Sequence, residues 1–117
     1  MSFKFENLKI WQRSMELGEE INSLAFDFPN YETYNLSSQL RRSVDSVALN
    51  ISEGSIGQSV PEYKKFIGYS IRSLAEVVTC LYKAKNRDYI SKDKFSILYE
   101  ECYNLMNMLI AFRKNIN

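Results

Sequence analysis

Residues 36–54 read LSSQLRRSVDSVALNISEG, and the spacing of their side chains predicts a helix. The apolar members of this stretch recur at intervals of 4, 3 and 4 residues: Leu40, Val44, Val47 and Ile51. Because an α-helix completes a turn in about 3.6 residues, this spacing puts them on one face. We therefore predict an amphipathic helix over residues 36–53, with Asn35 as its N-cap and Gly54 at its left-handed C-terminal end.

Three other stretches show the same helical periodicity. The last alternates apolar steps of 3 and 4 from Phe95 to Ile116, and Ser91 stands where an N-cap belongs. The third opens with a capping box from Ser59 to Glu62, and its apolar stripe is Ile67, Ile71, Leu74, Val78 and Leu81. The predicted helices cover residues 7–27, 36–53, 60–85 and 92–114. No stretch alternates apolar and polar residues with a period of two, so no β-strand is predicted.

These helices are joined by short connections, which place consecutive helices side by side in opposite directions. A chain of 117 residues is long enough for one hydrophobic core and too short for two domains. The predicted fold class is therefore all-α: a single-domain, antiparallel, up-down-up-down four-helix bundle over residues 1–117.

The composition argues against catalysis. Histidine is absent, which removes histidine acid–base chemistry, Ser-His and Cys-His nucleophile pairs, and histidine-ligated metals. Di-iron sites in helical bundles combine Glu residues with Glu-x-x-His pairs, so Glu53 and Glu76 cannot complete that ligand set here. We predict that the protein is not an enzyme and takes no cofactor, metal or small-molecule substrate.

The distribution of charged and sulfur-containing residues indicates a cytoplasmic protein. No apolar run approaches the roughly 20 residues that span a bilayer, and charged residues interrupt the N-terminal stretch. We therefore expect no membrane partner and two reduced thiols, Cys80 and Cys102. Antiparallel third and fourth helices would bring these thiols close enough to pair, but each lies on or beside an apolar stripe. The favoured interpretation is packing as small hydrophobic side chains.

A second, polar stripe runs along the helix of residues 36–53. Gln39, Ser43, Ser46, Asn50 and Glu53 recur at steps of 4, 3, 4 and 3, and Ser70, Ser73 and Glu76 lie one turn apart on the next helix. Small hydroxyls let two helices approach, while charged neighbours can satisfy one another in a partly buried network. The alternatives are a stripe exposed to solvent, or a minor small-molecule or metal site. The predicted network or subunit interface comprises Gln39, Arg42, Ser46, Asn50, Glu53, Ser73 and Glu76.

One ordered set of residues is spread over nearly the whole chain: Trp11, Phe28-Pro29, Tyr34 to Leu36, Gln39 to Arg42, Ser46, Asn50 to Gly54, and Ser73 to Glu76. In these residues the chain resembles the bacterial four-helix-bundle proteins encoded in 23S ribosomal RNA intervening sequences. The resemblance implies a bundle that assembles as a ring-like homopentamer, with no established enzymatic activity and a suggested association with RNA. The accessory proteins of diversity-generating retroelements share this fold.

Lys and Arg total 15 against 14 Asp and Glu, and the resulting charge of +1 gives little sign of a nucleic-acid partner. The basic residues nevertheless concentrate around the third connection: Lys83, Lys85, Arg87, Lys92 and Lys94. Repeated around a ring, this cluster would offer several phosphate contacts to RNA or DNA. The simpler alternative is that these residues solubilise the protein and complement a helix dipole.

Aromatic residues are more numerous than one bundle core requires, with 8 Tyr, 7 Phe and 1 Trp. Several rings must therefore lie at the edge of the core or face outward, where rigid aromatic groups favour protein–protein contact. The leading functional hypothesis is a non-catalytic protein that assembles with itself as a homopentamer. The alternative is a scaffold for structured RNA or an accessory partner of a nucleic-acid enzyme.

Overall fold

A computed structural model describes residues 1–117 and contains four α-helices. They are α1 (Lys9–Phe26), α2 (Leu36–Ser55), α3 (Val60–Asn86) and α4 (Lys92–Lys114). Two 3₁₀ turns, Lys4–Asn7 and Asn30–Glu32, precede α1 and α2, and there is no strand. The predicted all-α four-helix bundle is confirmed.

The helices run along the full length of the molecule. A helix of 27 residues such as α3 is about 40 Å long, and the longest extent of the protein is 44 Å. The most extensive packing is between α2 and α3, followed by α1 on α2 and α3 on α4, while α1 and α4 form the least extensive contact between neighbouring helices. The helices therefore follow one another around the bundle, and the α1/α2 face lies opposite the α3/α4 face. None of the four combines the length and hydropathy needed to cross a membrane.

A single cluster of 22 buried residues forms the core. On α4 the last two members of the predicted stripe, Phe112 and Ile116, are half-buried, and the buried positions all belong to that stripe: Phe95, Leu98, Cys102, Leu105 and Leu109. On α3 three members of the predicted stripe are buried, Ile67, Leu74 and Leu81, while Ile71 and Val78 are half-buried and pack against the core. The buried positions of α3 are Ile67, Ser70, Leu74, Val77, Cys80, Leu81 and Ala84. This helix packs so closely on α2 that its buried face is turned toward that neighbour.

Hydroxyl caps begin two of the helices. The Oγ of Ser59 accepts from the backbone N–H of Glu62 (3.2 Å), and the Oγ of Ser91 accepts from that of Lys94 (3.0 Å). The predicted capping box is only half formed, because the Glu62 carboxylate accepts from the backbone N–H of Gln58 instead of Ser59. That bond ties the preceding loop to the start of α3.

Asn35 occupies the N-cap position of α2 as predicted, whereas the predicted left-handed role of Gly54 at the other end of the helix is wrong. The Asn35 side chain does not cap the helix; the Glu32 carboxylate accepts from the backbone N–H of Leu36 (3.4 Å) instead. Gly54 has no positive φ and lies inside the helix. A Cβ at this glycine would come within 2.7 Å of the Cβ of Phe66, so Gly54 is needed for the close approach of α3.

Candidate functional site

Small residues, four of them polar, line the contact between α2 and α3, here called the α2/α3 seam: Ser46, Asn50, Gly54, Ser70 and Ser73. The Ser73 hydroxyl donates to the Oγ of Ser46 across the seam (3.0 Å). The Asn50 side-chain amide donates to the same Oγ and to the Ser46 carbonyl (both 2.9 Å). The structure thus brings together three of the seven predicted network residues, in a half-buried position.

Deeper in the α2/α3 seam, the hydroxyl of fully buried Ser70 donates to the carbonyl of Val47 (2.8 Å). Ser43, also buried, donates to the carbonyl of Leu40 within α2 (3.0 Å). Both residues stand in the polar stripe of the sequence, yet neither belongs to the predicted network. A serine at a heptad position facing the neighbouring helix is the signal that could have identified them.

The long polar side chains of the predicted set behave differently. Gln39, Arg42, Glu53 and Glu76 are exposed and form no ion pair or side-chain hydrogen bond within the chain. The expected network among Arg42, Asn50, Glu53 and Glu76 is therefore not formed inside one copy, because the two helices are too close to hold long side chains between them. Their role in a subunit interface stays a prediction.

Sequence reasoning missed a buried carboxylate at one end of the bundle. Glu32 is 4% exposed and accepts from the hydroxyl of Tyr89 (2.6 Å), the side-chain amide of Asn35 (2.9 Å) and the guanidinium of Arg87 (2.9 Å). We call these four residues the Glu32 cluster. It ties the turn before α2 to the connection between α3 and α4.

The turn that ends α3 positions Tyr89 for this contact. Asp88 adopts the left-handed conformation (φ 62°), which Asp tolerates better than most residues. The backbone N–H of Tyr89 then bonds to the carbonyl of Ala84 (2.9 Å), and that of Asp88 to Lys85 (3.0 Å). This is a Schellman ending, and it places the Tyr89 ring on Phe28 with its hydroxyl at Glu32.

The hydrogen bonds of the Glu32 cluster shift the pKa values of its members in opposite directions. The hydrogen bond from Tyr89, followed by those from Asn35 and Leu36 and the charge of Arg87, lowers the pKa of Glu32 despite its burial. The same bond to Glu32 raises the pKa of Tyr89, and a second bond to the hydroxyl of Tyr31 adds to the effect. At neutral pH the pair is therefore carboxylate and phenol, which suits a structural clamp.

The basic residues at this end of the bundle are largely engaged inside the chain. Arg87 pairs with Glu32 (2.9 Å) and Lys94 with Glu20 (3.2 Å). The Lys85 ammonium lies 4.4 Å from the ring centroid of Phe95 and 5.3 Å from that of Tyr82. Lys83 and Lys92 are exposed and unpaired.

Both thiols are buried and free, as Cys80 and Cys102 pack in the core. Burial, with a smaller contribution from nearby Glu101 and Glu20, raises the pKa of Cys102 to about 12. Burial also raises the pKa of Cys80. A thiol that stays protonated at neutral pH is a poor nucleophile and a poor metal ligand. No group of three or more Cys, Asp or Glu side chains is placed to hold a metal ion.

A groove of about 410 Å³ runs between α1 and α2, on the face opposite α3 and α4. We call it the α1/α2 groove; its apolar lining residues are Phe5, Trp11, Met15, Val44, Ala48 and Leu49. Met15 and Leu49 remain 42% and 60% exposed. Gly18 has no side chain and so leaves the bottom of the groove open, and the carboxylates of Glu19 and Asp45 lie at its edge.

The opposite face carries a run of contacting aromatic rings, the aromatic ladder: Tyr82 of α3 and Phe95, Tyr99 and Tyr103 of α4. Neighbouring ring centroids are 4.8 to 6.3 Å apart. Tyr82, Tyr99 and Tyr103 are exposed. The ladder begins at the buried ring of Phe95 in the core and extends to the ring of Tyr103, which remains exposed within a single copy.

Charged and polar residues occupy the line where α1 and α4 meet, the α1/α4 seam: Arg13, Glu16, Glu20, Glu101 and Asn104. A cavity of about 80 Å³ lies among them. Burial, followed by a hydrogen bond with the Glu20 carboxyl group and the charge of Glu20, raises the pKa of Glu101, while Lys94 and Arg13 oppose this shift only in part. Two carboxylates therefore face each other across the α1/α4 seam.

Comparison with known proteins bears on the fold and the family. The family model described as "23S rRNA-intervening sequence protein" matches residues 6–111. A crystal structure from Bacteroides thetaiotaomicron, a protein of unknown function from the S23 ribosomal protein family, is similar with a TM-score of 0.84 and 20% identity. The match covers 91% of this chain and 99% of that one. No curated protein matches the chain.

Proposed function

Because this chain belongs to the 23S rRNA-intervening sequence protein family, we propose that it is a non-catalytic structural subunit that assembles with copies of itself, as a homopentamer. The proposal places the assembly in the cytoplasm, with both thiols reduced and with no cofactor. In this role each bundle acts as a rigid unit, and residues on its surface make the contacts between copies.

The observation that carries the proposal is the amount of large apolar surface left uncovered on one copy. Six of the eight tyrosines are exposed: Tyr31, Tyr34, Tyr69, Tyr82, Tyr99 and Tyr103. Phe3, Phe26, Leu49 and Ile97 are more than half exposed. Large exposed apolar patches on a folded domain mark protein–protein contacts, and tyrosine is enriched at such interfaces.

Native mass spectrometry, together with light scattering on a size-exclusion column, tests the proposal. We expect one dominant species at five times the chain mass of 13.7 kDa, independent of salt over the physiological range. A monomer at micromolar concentration overturns self-assembly. A closed assembly of another copy number overturns the pentamer and leaves self-assembly intact.

A second candidate function is binding of structured RNA or DNA by the assembly. The observation that favours it is the pair Lys83 and Lys92, exposed and unpaired at one end of the bundle, within a half of the chain that is basic overall. Fluorescence anisotropy with a labelled RNA hairpin should show affinity falling steeply with salt. The double variant Lys83→Glu/Lys92→Glu should weaken binding at least about tenfold, whereas Lys9→Glu should not. Affinity that is equal for all three proteins overturns this candidate.

A further inference from the structure

Two opposite faces of the bundle each carry uncovered apolar surface, and they differ in shape. The α1/α2 groove is a concave channel with an apolar floor. The aromatic ladder stands on a convex ridge, where Tyr103 is 59% and Ile110 44% exposed on α4. A ridge of side chains that enters a groove between two helices is the usual way in which helices pack.

The two halves of the chain that carry these faces also differ in net charge. Residues 1–54, which form the α1/α2 side, contain 5 basic and 8 acidic residues, a net charge of −3. Residues 55–117, which form the α3/α4 side, contain 10 basic and 6 acidic residues, a net charge of +4. Opposite potentials on two surfaces favour their encounter, whereas a face set against its own copy would bring like charges together.

Individual charged residues on the two sides are free to pair between copies. Glu19 and Asp45 stand at the edge of the α1/α2 groove, and neither forms an ion pair within the chain. On the other side Arg72 of α3 is exposed and unpaired, and Lys85 lies over two rings of the ladder. The carboxylates of the α1/α2 side thus have an unpaired cationic partner, Arg72, on the α3/α4 side.

We infer that the α1/α2 groove of one copy receives the aromatic ladder and the adjoining α4 ridge of the next, so that copies join head to tail. The inference rests on the proposed self-assembly and names the surfaces that carry it. A contact between two different faces is heterologous, and repetition closes it into a ring when the rotation per copy fits a full turn. The occupant of the groove is therefore a second copy of this chain.

Two single substitutions on exposed residues test the inference. Leu49→Glu blocks the groove and leaves the ladder intact, while Tyr103→Glu blocks the ladder and leaves the groove intact. Because both residues are more than half exposed, circular dichroism should show unchanged folding. Each variant alone should run as a monomer in light scattering. The control Ile56→Glu, at a 67% exposed loop position away from both faces, should keep the wild-type assembly.

A mixture of the two blocked variants gives the decisive result. The intact groove of Tyr103→Glu can take the intact ladder of Leu49→Glu, so native mass spectrometry should show a one-to-one dimer and nothing larger. An interface in which each face meets its own kind gives no such dimer, and that result overturns the inference if the wild type assembles.

Cross-linking covers the case in which one isolated contact is too weak to survive dilution. Both native thiols are buried, so a short bis-maleimide should react at introduced cysteines alone. The double variant Leu49→Cys/Tyr103→Cys should give a series of covalent multimers, and either single variant should give none. Covalent dimers from Leu49→Cys alone overturn the inference. A monomeric wild type refutes the proposed function itself, whereas an assembled wild type that tolerates both Glu substitutions refutes only the choice of surfaces.

Discussion

The α2/α3 seam and the α1/α4 seam are both built from residues at helical spacing, and they differ in the size and charge of those residues. In the α2/α3 seam, Gly54 meets Phe66 so closely that a single methyl group would not fit, and Ser70 bonds directly across. In the α1/α4 seam, Glu20 and Glu101 face each other beside a cavity. Side-chain size and charge at the boundary, more than the apolar stripes, set how closely two helices of this bundle approach.

The difference has a simple physical basis. A buried hydroxyl needs one partner and can find it in a backbone carbonyl of the neighbouring helix, so it costs little to bury. A carboxylate must keep water or a cation nearby, and two of them repel. The α1/α4 seam therefore stays open to solvent, while the α2/α3 seam forms the most closely packed part of the molecule.

The largest effect is expected from a methyl group added at the closest point of the α2/α3 seam. Gly54→Ala should lower the free energy of unfolding by about 1–3 kcal/mol, because its Cβ would collide with the Cβ of Phe66 and overpack the contact. Urea unfolding followed by circular dichroism measures this change.

The matched control is Gly68→Ala in the next helix. A Cβ there would meet only the end of the flexible Arg113 side chain, at 3.4 Å. Alanine should instead stabilise α3, by up to about 1 kcal/mol, because glycine is a poor helix former. If the two substitutions changed the free energy of unfolding by the same amount, α2 and α3 would be packed no more tightly at Gly54 than the chain is at Gly68.

A smaller effect is expected from the hydroxyl at the centre of the same seam. Ser70→Ala removes the bond to the Val47 carbonyl and should cost about 1 kcal/mol of unfolding free energy, the usual value for one buried hydrogen bond. Ser96→Ala, on the exposed side of α4, should change stability by less than about 0.5 kcal/mol. A Ser70→Ala protein as stable as the wild type would show that packing alone holds the seam.

Much of the fold could be predicted from the sequence because the apolar stripes are long and regular. The stripe from Phe95 to Leu109 needs only the helical repeat to be recognised, and so does the one from Leu40 to Ile51. The family resemblance was also available in the order of the residues, and the family match confirms it. The further buried positions of α3, among them Ser70, Val77 and Ala84, were not predictable from the stripe, because they depend on how closely a neighbouring helix approaches.

The site was harder to predict because its decisive contacts join residues far apart in the chain. Glu32 and Tyr89 are separated by 57 positions and meet only because a Schellman turn ends α3 at the right place. The stripe of polar residues on α2 was visible, yet spacing alone could not distinguish Ser46, which bonds across the seam, from Arg42, which extends into solvent. A helical repeat gives the direction of a side chain and leaves its reach and its partner undetermined.

The smallest effect is expected at the α1/α4 seam, where Glu101→Gln should stabilise the protein at neutral pH by about 0.5 kcal/mol. The substitution removes one of two facing carboxylates. Because the folded-state pKa of Glu101 is raised above its ordinary value of 4.5, the folded wild type takes up a proton before the unfolded chain does. Wild-type stability therefore gains on the variant as the pH falls through that pKa, and the difference should close.

Glu32→Gln provides the comparison with opposite sign. The folded-state pKa of Glu32 is lowered below 4.5, so its carboxylate stabilises the folded protein above pH 4.5, and that contribution is lost as the pH falls through the lowered pKa. Urea unfolding of the wild type, Glu101→Gln and Glu32→Gln should be measured between neutral and acid pH. Glu101→Gln should start more stable than the wild type and Glu32→Gln less stable, and both differences in unfolding free energy should shrink as the pH falls. A Glu101→Gln protein that is less stable than the wild type at neutral pH would mean that the hydrogen bond between the two carboxyl groups outweighs their repulsion and holds α1 to α4, and the contrast between the two seams would then fail.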